Sequence, residues 1–176
     1  MSGGPFDEPP YPQMHQNDFG PGKRCEIDVR HGGRTIMIGD PTDFGFQKTH
    51  TLISPGPDAV DIVIHGLPGR FVEKLGGNQE IPASLIAQLL ASAGVIRGMP
   101  LRLLTCHAGE LPLRGTSAAQ ILAEEWGGLV LGANGLLRIR KGGISIDVVE
   151  WVLDPSGGMM PNVIGVDQGT WISHTP

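Results

Sequence analysis

Short apolar runs separated by turn residues dominate the chain from Cys25 onward. Two of these runs, residues 61–64 and 101–105, end on reactive side chains, which are His65 in the first and Cys106 in the second. Strands buried in a parallel sheet are apolar on both faces, and ligands and catalytic groups collect at their carboxyl ends. The pattern therefore predicts two buried parallel strands that present His65 and Cys106 at one edge of a sheet.

Helical spacing of apolar residues follows each of these two strands. The first helix is expected to begin at Pro82 and to end at Gly94. The second is expected to be capped by Thr116 or Ser117 and to end at Gly127. Alternation of strands and helices predicts an α/β fold with a mostly parallel sheet flanked by helices.

Further strands are predicted at both ends of the chain. Residues 25–30 and 34–38 flank a His-Gly-Gly turn, so this segment is expected to form an N-terminal β-hairpin. The dipeptide Asn134-Gly135 is a hairpin signal, and residues 136–140 and 144–153 after it predict additional C-terminal strands. Residues 49–53 favour another short strand.

The segment from Leu67 to Glu80 is predicted to be a loop, because it contains the turn-forming pairs Pro68-Gly69 and Gly76-Gly77. A loop of this length directly after His65 is expected to bind substrate, since long loops in compact domains are often functional. A flexible connection is the alternative.

Residues 1–22 contain five prolines among glycines and polar residues. Such a segment buries little apolar surface, so it is predicted to be a flexible arm, and it is a candidate binding segment for a partner protein. Residues 23–176 are predicted to form a single domain, because a chain of this length suits one hydrophobic core.

Charge and targeting signals narrow the class of protein. The chain has 13 Lys and Arg against 18 Asp and Glu, and this balance argues against nucleic acid as the main partner. No apolar run is long enough to cross a bilayer and the N terminus lacks signal-peptide features, so no membrane partner is expected. We expect a cytoplasmic protein, or one delivered or secreted without a signal peptide.

The two cysteines, Cys25 and Cys106, are too few for a disulfide scaffold and are expected to be free thiols in a reducing compartment. A cysteine or a histidine at the end of one buried strand is more often a packed structural residue than a catalytic one. The pair changes the interpretation, because an imidazole can accept the proton of a thiol and make it a nucleophile. Gly66 would let a substrate carbonyl approach a backbone N–H group.

His107, next to Cys106, either lines the site or is unrelated to it, since adjacent residues on a strand point to opposite faces. A metal site built from Cys106, His107 and His65 has no fourth ligand at finger-like spacing, so no metal is expected. No cofactor is implied by the sequence.

The arrangement of these residues resembles the caspase-like cysteine peptidases, a clan that includes gingipains, separase, legumain, CHAT domains and self-cleaving domains of bacterial toxins. The resemblance lies in the apolar strand before His65-Gly66, the helix after it, and the apolar strand that ends in Thr105-Cys106. His65 and Cys106 are 41 positions apart, which is similar to the spacing in that clan. The segment Leu103-Leu104-Thr105-Cys106-His107-Ala108-Gly109 is most similar to CHAT and toxin-processing domains.

The resemblance implies a caspase-like fold and a thiol protease that cleaves a protein substrate or itself, in a bacterial effector or toxin-associated setting. It implies Cys106 as nucleophile, His65 as general acid and base, the N–H groups of Gly66 and Cys106 as the oxyanion hole, and no obligatory third member. The Gln-Ala-Cys block of caspases is absent, so specificity for Asp is not implied. Two alternatives stay open, an inactive caspase-like protein-interaction module and a toxin domain that hydrolyses a non-peptide amide or ester.

Overall fold

The computed structural model describes residues 25–40, 42, 43, 46, 48–73 and 79–176. The predicted arm, residues 1–22, lies outside the described residues, and the division into an arm and a single domain of residues 23–176 stays a prediction. Within the described part, no helix is both long and apolar enough to cross a membrane.

Most of the described elements are strands, and the two described α-helices lie in the middle of the chain. The described strands are β1 (Glu26–Arg30), β2 (Thr35–Gly39), β3 (Val60–Val63), β4 (His65–Leu67), β5 (Arg70–Glu73), β6 (Gln79–Ile81), β7 (Leu101–Leu104), β8 (Val130–Ala133), β9 (Leu136–Arg140), β10 (Gly143–Leu153), β11 (Met159–Gly165) and β12 (Trp171–His174). The described helices are α1 (Ala83–Ser92) and α2 (Ala118–Trp126).

The main sheet has six strands in the order β1-β2-β3-β7-β8-β12. Strands β2, β3, β7 and β8 run parallel, while β1 and β12 pair antiparallel at the two edges. The predicted α/β class, the mostly parallel sheet and the N-terminal hairpin of β1 and β2 are therefore confirmed. Two smaller antiparallel sheets, β4-β5-β6 and β11-β10-β9, complete the architecture.

Both helices pack on the same face of the main sheet. Their buried side chains, including Ile86, Leu90 and Leu122, share one core cluster with Ile62 of β3 and Leu103 of β7. Local hydrogen bonding and backbone conformation explain where α2 begins and ends. The hydroxyl of Ser117 accepts a hydrogen bond from the N–H of Gln120, 3.2 Å away, and Gly127 ends α2 in the left-handed conformation.

On the opposite face of the sheet, side chains of β9, β10 and Phe46 pack against the strands. Val63 and Leu104 on this face pack with Phe46, Leu137 of β9 and Ile146 of β10. The described helices α1 and α2 thus lie on one face of the sheet, and the prediction of a sheet flanked by helices is not confirmed. The reason is that β9 and β10 are apolar at alternate positions, so their hairpin can bury one face against the sheet.

Several boundary predictions are wrong. Residues 49–52 form a short 3-10 helix and not a strand. The predicted loop from Leu67 to Glu80 contains β5 and β6, which pair with β4 as a small antiparallel sheet. Asn134-Gly135 does not join a hairpin, because β9 pairs with β10, and β8 pairs with β7 and β12. Tertiary pairing overrides the local turn signal at that point.

Candidate functional site

β3 and β7 pair in a register that, if continued beyond their last pair, sets position 65 opposite position 106. Asp61 pairs with Arg102 and Val63 pairs with Leu104, and the offset of 41 positions in these pairs also separates His65 from Cys106. Ile62 and Ile64 belong to the cluster on the helix face, whereas Val63 belongs to the opposite cluster. The ring contact of His65 with Phe46 and the packing of Cys106 against the same cluster put both side chains on the face that β9 and β10 cover.

His65 does not end its strand as predicted. β3 ends at Val63, and after Ile64 the chain enters β4, which begins with His65 and pairs with β5. His65 thus belongs to the small sheet, although its neighbour in space is the strand end that carries Cys106. This change of sheet frees the backbone at His65 from the main ladder.

Gly66 fits tightly against the strand end that carries the thiol. A Cβ atom added at Gly66 would lie 2.5 Å from Cγ2 of Thr105 and 2.6 Å from the carbonyl oxygen of Cys106. Such distances are far below van der Waals contact, so only glycine lets the two backbones approach this closely. The backbones of the two residues predicted to form the oxyanion hole are therefore in direct contact.

The imidazole of His65 contacts an acidic and an aromatic side chain. Its Nε2 lies 3.0 Å from Oδ2 of Asp43, and its ring centroid lies 4.6 Å from that of Phe46. The side chains of His65 and Asp43 are 29% and 20% exposed. A carboxylate only accepts hydrogen bonds, so Nε2 carries the hydrogen, and in the neutral ring Nδ1 keeps its lone pair.

The thiol of Cys106 lies in a turn just beyond β7, half-buried beside β9. Its Sγ accepts a hydrogen bond from the N–H of Leu137, 3.3 Å away, and lies 3.5 Å from the carbonyl oxygen of Leu137. Cys25, in contrast, is fully buried in the core on the helix side. The two thiols therefore differ in solvent access.

His107 points away from this pair. It is 3% exposed, and its Nδ1 lies 2.7 Å from Oε2 of Glu110, whose other oxygen accepts a hydrogen bond from the indole N–H of Trp151. His107 is therefore not a second partner of the thiol. No group of three or more side chains suited to hold a metal ion occurs in the described ranges of the chain.

A buried ion pair joins β3 to β7. Its two residues precede His65 and Cys106 by four positions each. Both oxygens of Asp61 accept hydrogen bonds from the guanidinium of Arg102 at 2.7 Å, and the Asp61 side chain is 1% exposed. The Arg102 guanidinium also lies 5.8 Å from the ring centroid of Trp171. This pair ties β3 to β7 and so supports the level at which His65 and Cys106 lie.

A pocket of about 50 Å³ opens elsewhere, beside Gly69, Arg70, Ile81 and Ile121. It is lined from β5, β6 and the helices, and neither candidate residue contributes to it.

Sequence reasoning missed two residues of this region, Asp43 and Glu110. Asp43 precedes His65 by 22 positions and lies outside any strand. Glu110 follows Cys106 in the turn, and its two partners come from different elements. The position of Glu110 shortly after Cys106 and His107 is the one signal that the sequence offers. Nothing in the sequence connects Glu110 to Trp151.

No curated protein and no solved structure matches the chain. One family model does match, and its description is Domain of unknown function (DUF8616). The match covers residues 35–160, a range that contains Asp43, His65, Cys106 and Glu110. Because this range is well over half of the sequence, the chain belongs to the DUF8616 family.

Proposed function

We propose that the protein is a cysteine peptidase of the caspase-like type, with Cys106 as nucleophile and His65 as general acid and base. The observation that supports the proposal is that each residue comes two positions after the paired Val63 and Leu104 and that both side chains lie against the cluster that contains Phe46. The predicted substrate is a peptide bond in another protein or in this chain itself.

The contact with Asp43 supports a defined protonation state for His65. With its Nε2 hydrogen donated to Oδ2 of Asp43, the neutral ring offers Nδ1 as the base. The carboxylate also stabilises the imidazolium that forms when the thiol proton is taken up. Asp43 thus supplies an orienting member that the resemblance alone did not require.

The chemical steps follow from these roles. His65 Nδ1 takes the Sγ proton while Sγ bonds to the peptide carbonyl carbon, and the carbonyl oxygen becomes an oxyanion. The N–H groups of Gly66 and Cys106 would stabilise this charge. When the C–N bond breaks, His65 returns the proton to the leaving amine, and water then hydrolyses the thioester with His65 again as base.

One observation favours a second candidate function. The backbone of Leu137 contacts the thiol on both its donor and acceptor sides, so Cys106 is already engaged within the fold. A thiol held in this way is compatible with an inactive caspase-like module that binds other proteins. Thiol reactivity separates the two candidates.

The test is the rate at which iodoacetamide alkylates Cys106 at neutral pH, with the modified peptides identified by mass spectrometry. A paired imidazole raises the thiolate fraction from a few per cent, so His65→Ala is expected to slow alkylation about tenfold. Asp43→Asn should slow it about threefold, because the imidazolium loses its carboxylate partner. Cys106→Ala confirms the assignment of the label.

Two controls accompany this measurement. Cys25 reports global opening, because it becomes reactive only when the core is exposed. His50→Ala removes another half-buried imidazole, whose ring neighbours His31 instead of Phe46, and should leave the rate unchanged. If His65→Ala leaves the Cys106 rate unchanged while Cys25 stays protected, the peptidase proposal fails and the interaction module is favoured. Cleavage of a peptide library, lost in Cys106→Ala, would then define the substrate.

A further inference from the structure

The turn after Cys106 has an unusual backbone. His107 adopts a φ of 61°, in the left-handed region that costs free energy for a residue with a Cβ atom. Non-glycine residues stay in this region where surrounding contacts determine the conformation. The contacts of His107 therefore show what holds this turn in shape.

Glu110 makes the side-chain contact that closes the turn. Its Oε2 lies 2.7 Å from Nδ1 of His107, and since a carboxylate only accepts, the imidazole donates this hydrogen bond. Its Oε1 accepts a hydrogen bond of 2.5 Å from Nε1 of Trp151 on β10. The Trp151 ring also lies 4.9 Å from the His107 ring, so all three side chains form one cluster.

Backbone hydrogen bonds complete the same turn. The N–H of His107 donates to the carbonyl of Gly135 at 2.8 Å, and the N–H of Glu110 donates to the carbonyl of His107 at 3.1 Å. Gly135 directly precedes β9, the strand whose Leu137 contacts the thiol. The turn is thus held by a hydrogen bond within itself and by one to the residue before β9, the strand beside Cys106.

We infer that Glu110 is a positioning residue for Cys106, acting through His107. The inference rests on the proposed function. His107 is one peptide bond from the nucleophile, so its left-handed conformation sets the course of the chain directly after Cys106 and with it the shape of the turn that holds the thiol beside Leu137. The Glu110 carboxylate holds that conformation together with the backbone hydrogen bonds of the turn, and Trp151 holds the carboxylate. Supporting residues of this kind matter because small displacements of a reacting group cost large factors in rate.

The test measures alkylation of Cys106 by iodoacetamide from pH 5.5 to pH 9.5 in three variants. Glu110→Ala removes both hydrogen bonds, and Trp151→Phe removes only the indole donor while keeping a ring beside His107. Glu150→Gln is the matched control, since Glu150 is an exposed carboxylate on β10 that bonds Asn162 instead of the turn. Cys25 again reports opening of the core.

Glu110→Ala is expected to slow Cys106 alkylation about fivefold at pH 7 and to move the midpoint of the pH profile upward, toward that of a free thiol. Trp151→Phe should slow it about twofold, and Glu150→Gln should match the wild type. A purely structural role would expose Cys25 without moving the midpoint for Cys106, and this result would overturn the inference.

The inference and the proposed function fail in distinguishable ways. If His65→Ala slows alkylation but Glu110→Ala and Trp151→Phe do not, Glu110 has no positioning role and the peptidase proposal stands. If His65→Ala itself has no effect, the proposed function fails first. Should Glu110→Ala not fold, a Trp151→Phe midpoint equal to that of the wild type would overturn the inference.

Discussion

The two ends of the β3–β7 pair carry different chemistry on the same face of the sheet. At the amino end, Asp61 and Arg102 satisfy each other through two hydrogen bonds of 2.7 Å, and the carboxylate is almost fully buried. At the carboxyl end, His65 uses one ring nitrogen on Asp43 and keeps nearly a third of its side chain exposed. The Asp61 carboxylate is buried and paired on both oxygens, whereas the His65 imidazole is partly exposed and has a second ring nitrogen.

Burial and the number of partners, and not residue type, distinguish the Asp61–Arg102 pair from His65. A buried, fully paired ion pair contributes to stability mainly because removal of one partner leaves an uncompensated charge. A half-exposed imidazole with one free nitrogen contributes little to stability and can exchange protons with a neighbour. Substitutions at the two ends should therefore affect different measurements.

The largest expected effect is on stability at the amino end. Arg102→Ala leaves the Asp61 carboxylate buried without its partner, so the free energy of unfolding should fall by about 3 kcal/mol in urea titrations. Arg114→Ala is the matched control, because Arg114 is exposed and its loss should cost less than about 0.5 kcal/mol. Equal effects of the two substitutions would mean that the buried pair does not stabilise the strands.

A smaller effect is expected where the two backbones meet near the thiol. Gly66→Ala places a methyl group within 2.6 Å of the Cys106 carbonyl, so unfolding should become easier by about 2 kcal/mol and Cys106 alkylation should change. Gly56→Ala is the control, since no atom lies within 4 Å of a Cβ at Gly56. If the two alanine variants are equally stable, the close approach of Gly66 to Cys106 is wrong.

The smallest effect concerns pH at the amino end. Burial, reinforced by the nearby charge of His50, holds the pKa of His31 below its ordinary value of 6.5. The unfolded chain therefore binds the proton more readily, and stability should fall as the pH drops from about 6.5 through the lower native pKa, by less than about 1 kcal/mol. His31→Asn should flatten this slope in urea titrations between pH 7 and pH 5.

Asparagine suits position 31 because it tolerates the positive φ of 54° found there. Asp154→Asn is the control, since hydrogen bonds from Ser156 and Gly158 hold the pKa of that carboxyl below 3.8, outside the window. A slope that survives in His31→Asn would assign the pH dependence to other groups.

Much of the fold could be predicted because its signals are local. The period-2 pattern of residues 25–38 gave the hairpin, and Ser117 and Gly127 marked the ends of α2. The prediction of a single loop after His65 was wrong because β5 and β6 are short strands, stabilised by pairing that no local pattern reveals.

The candidate site could be predicted only where it lies on the central strands. His65, Gly66 and Cys106 were visible because each follows an apolar run. Asp43 was not, since its contact with His65 joins two residues 22 positions apart and no pattern in the sequence links them. The sequence also did not predict that β9 and β10 cover the second face of the sheet, because this depends on the course of the chain after Gly135.

The positions of the Asp61–Arg102 pair and of the candidate residues His65 and Cys106 also offer a way to search for distantly related sequences. Loops between the two strands can change length freely, so a fixed separation of His and Cys is a poor search criterion. In both segments, however, three residues separate the charged residue from the candidate residue, as Asp-x-x-x-His and Arg-x-x-x-Cys. A pattern that couples these two pentapeptides would find relatives that insertions hide from spacing alone.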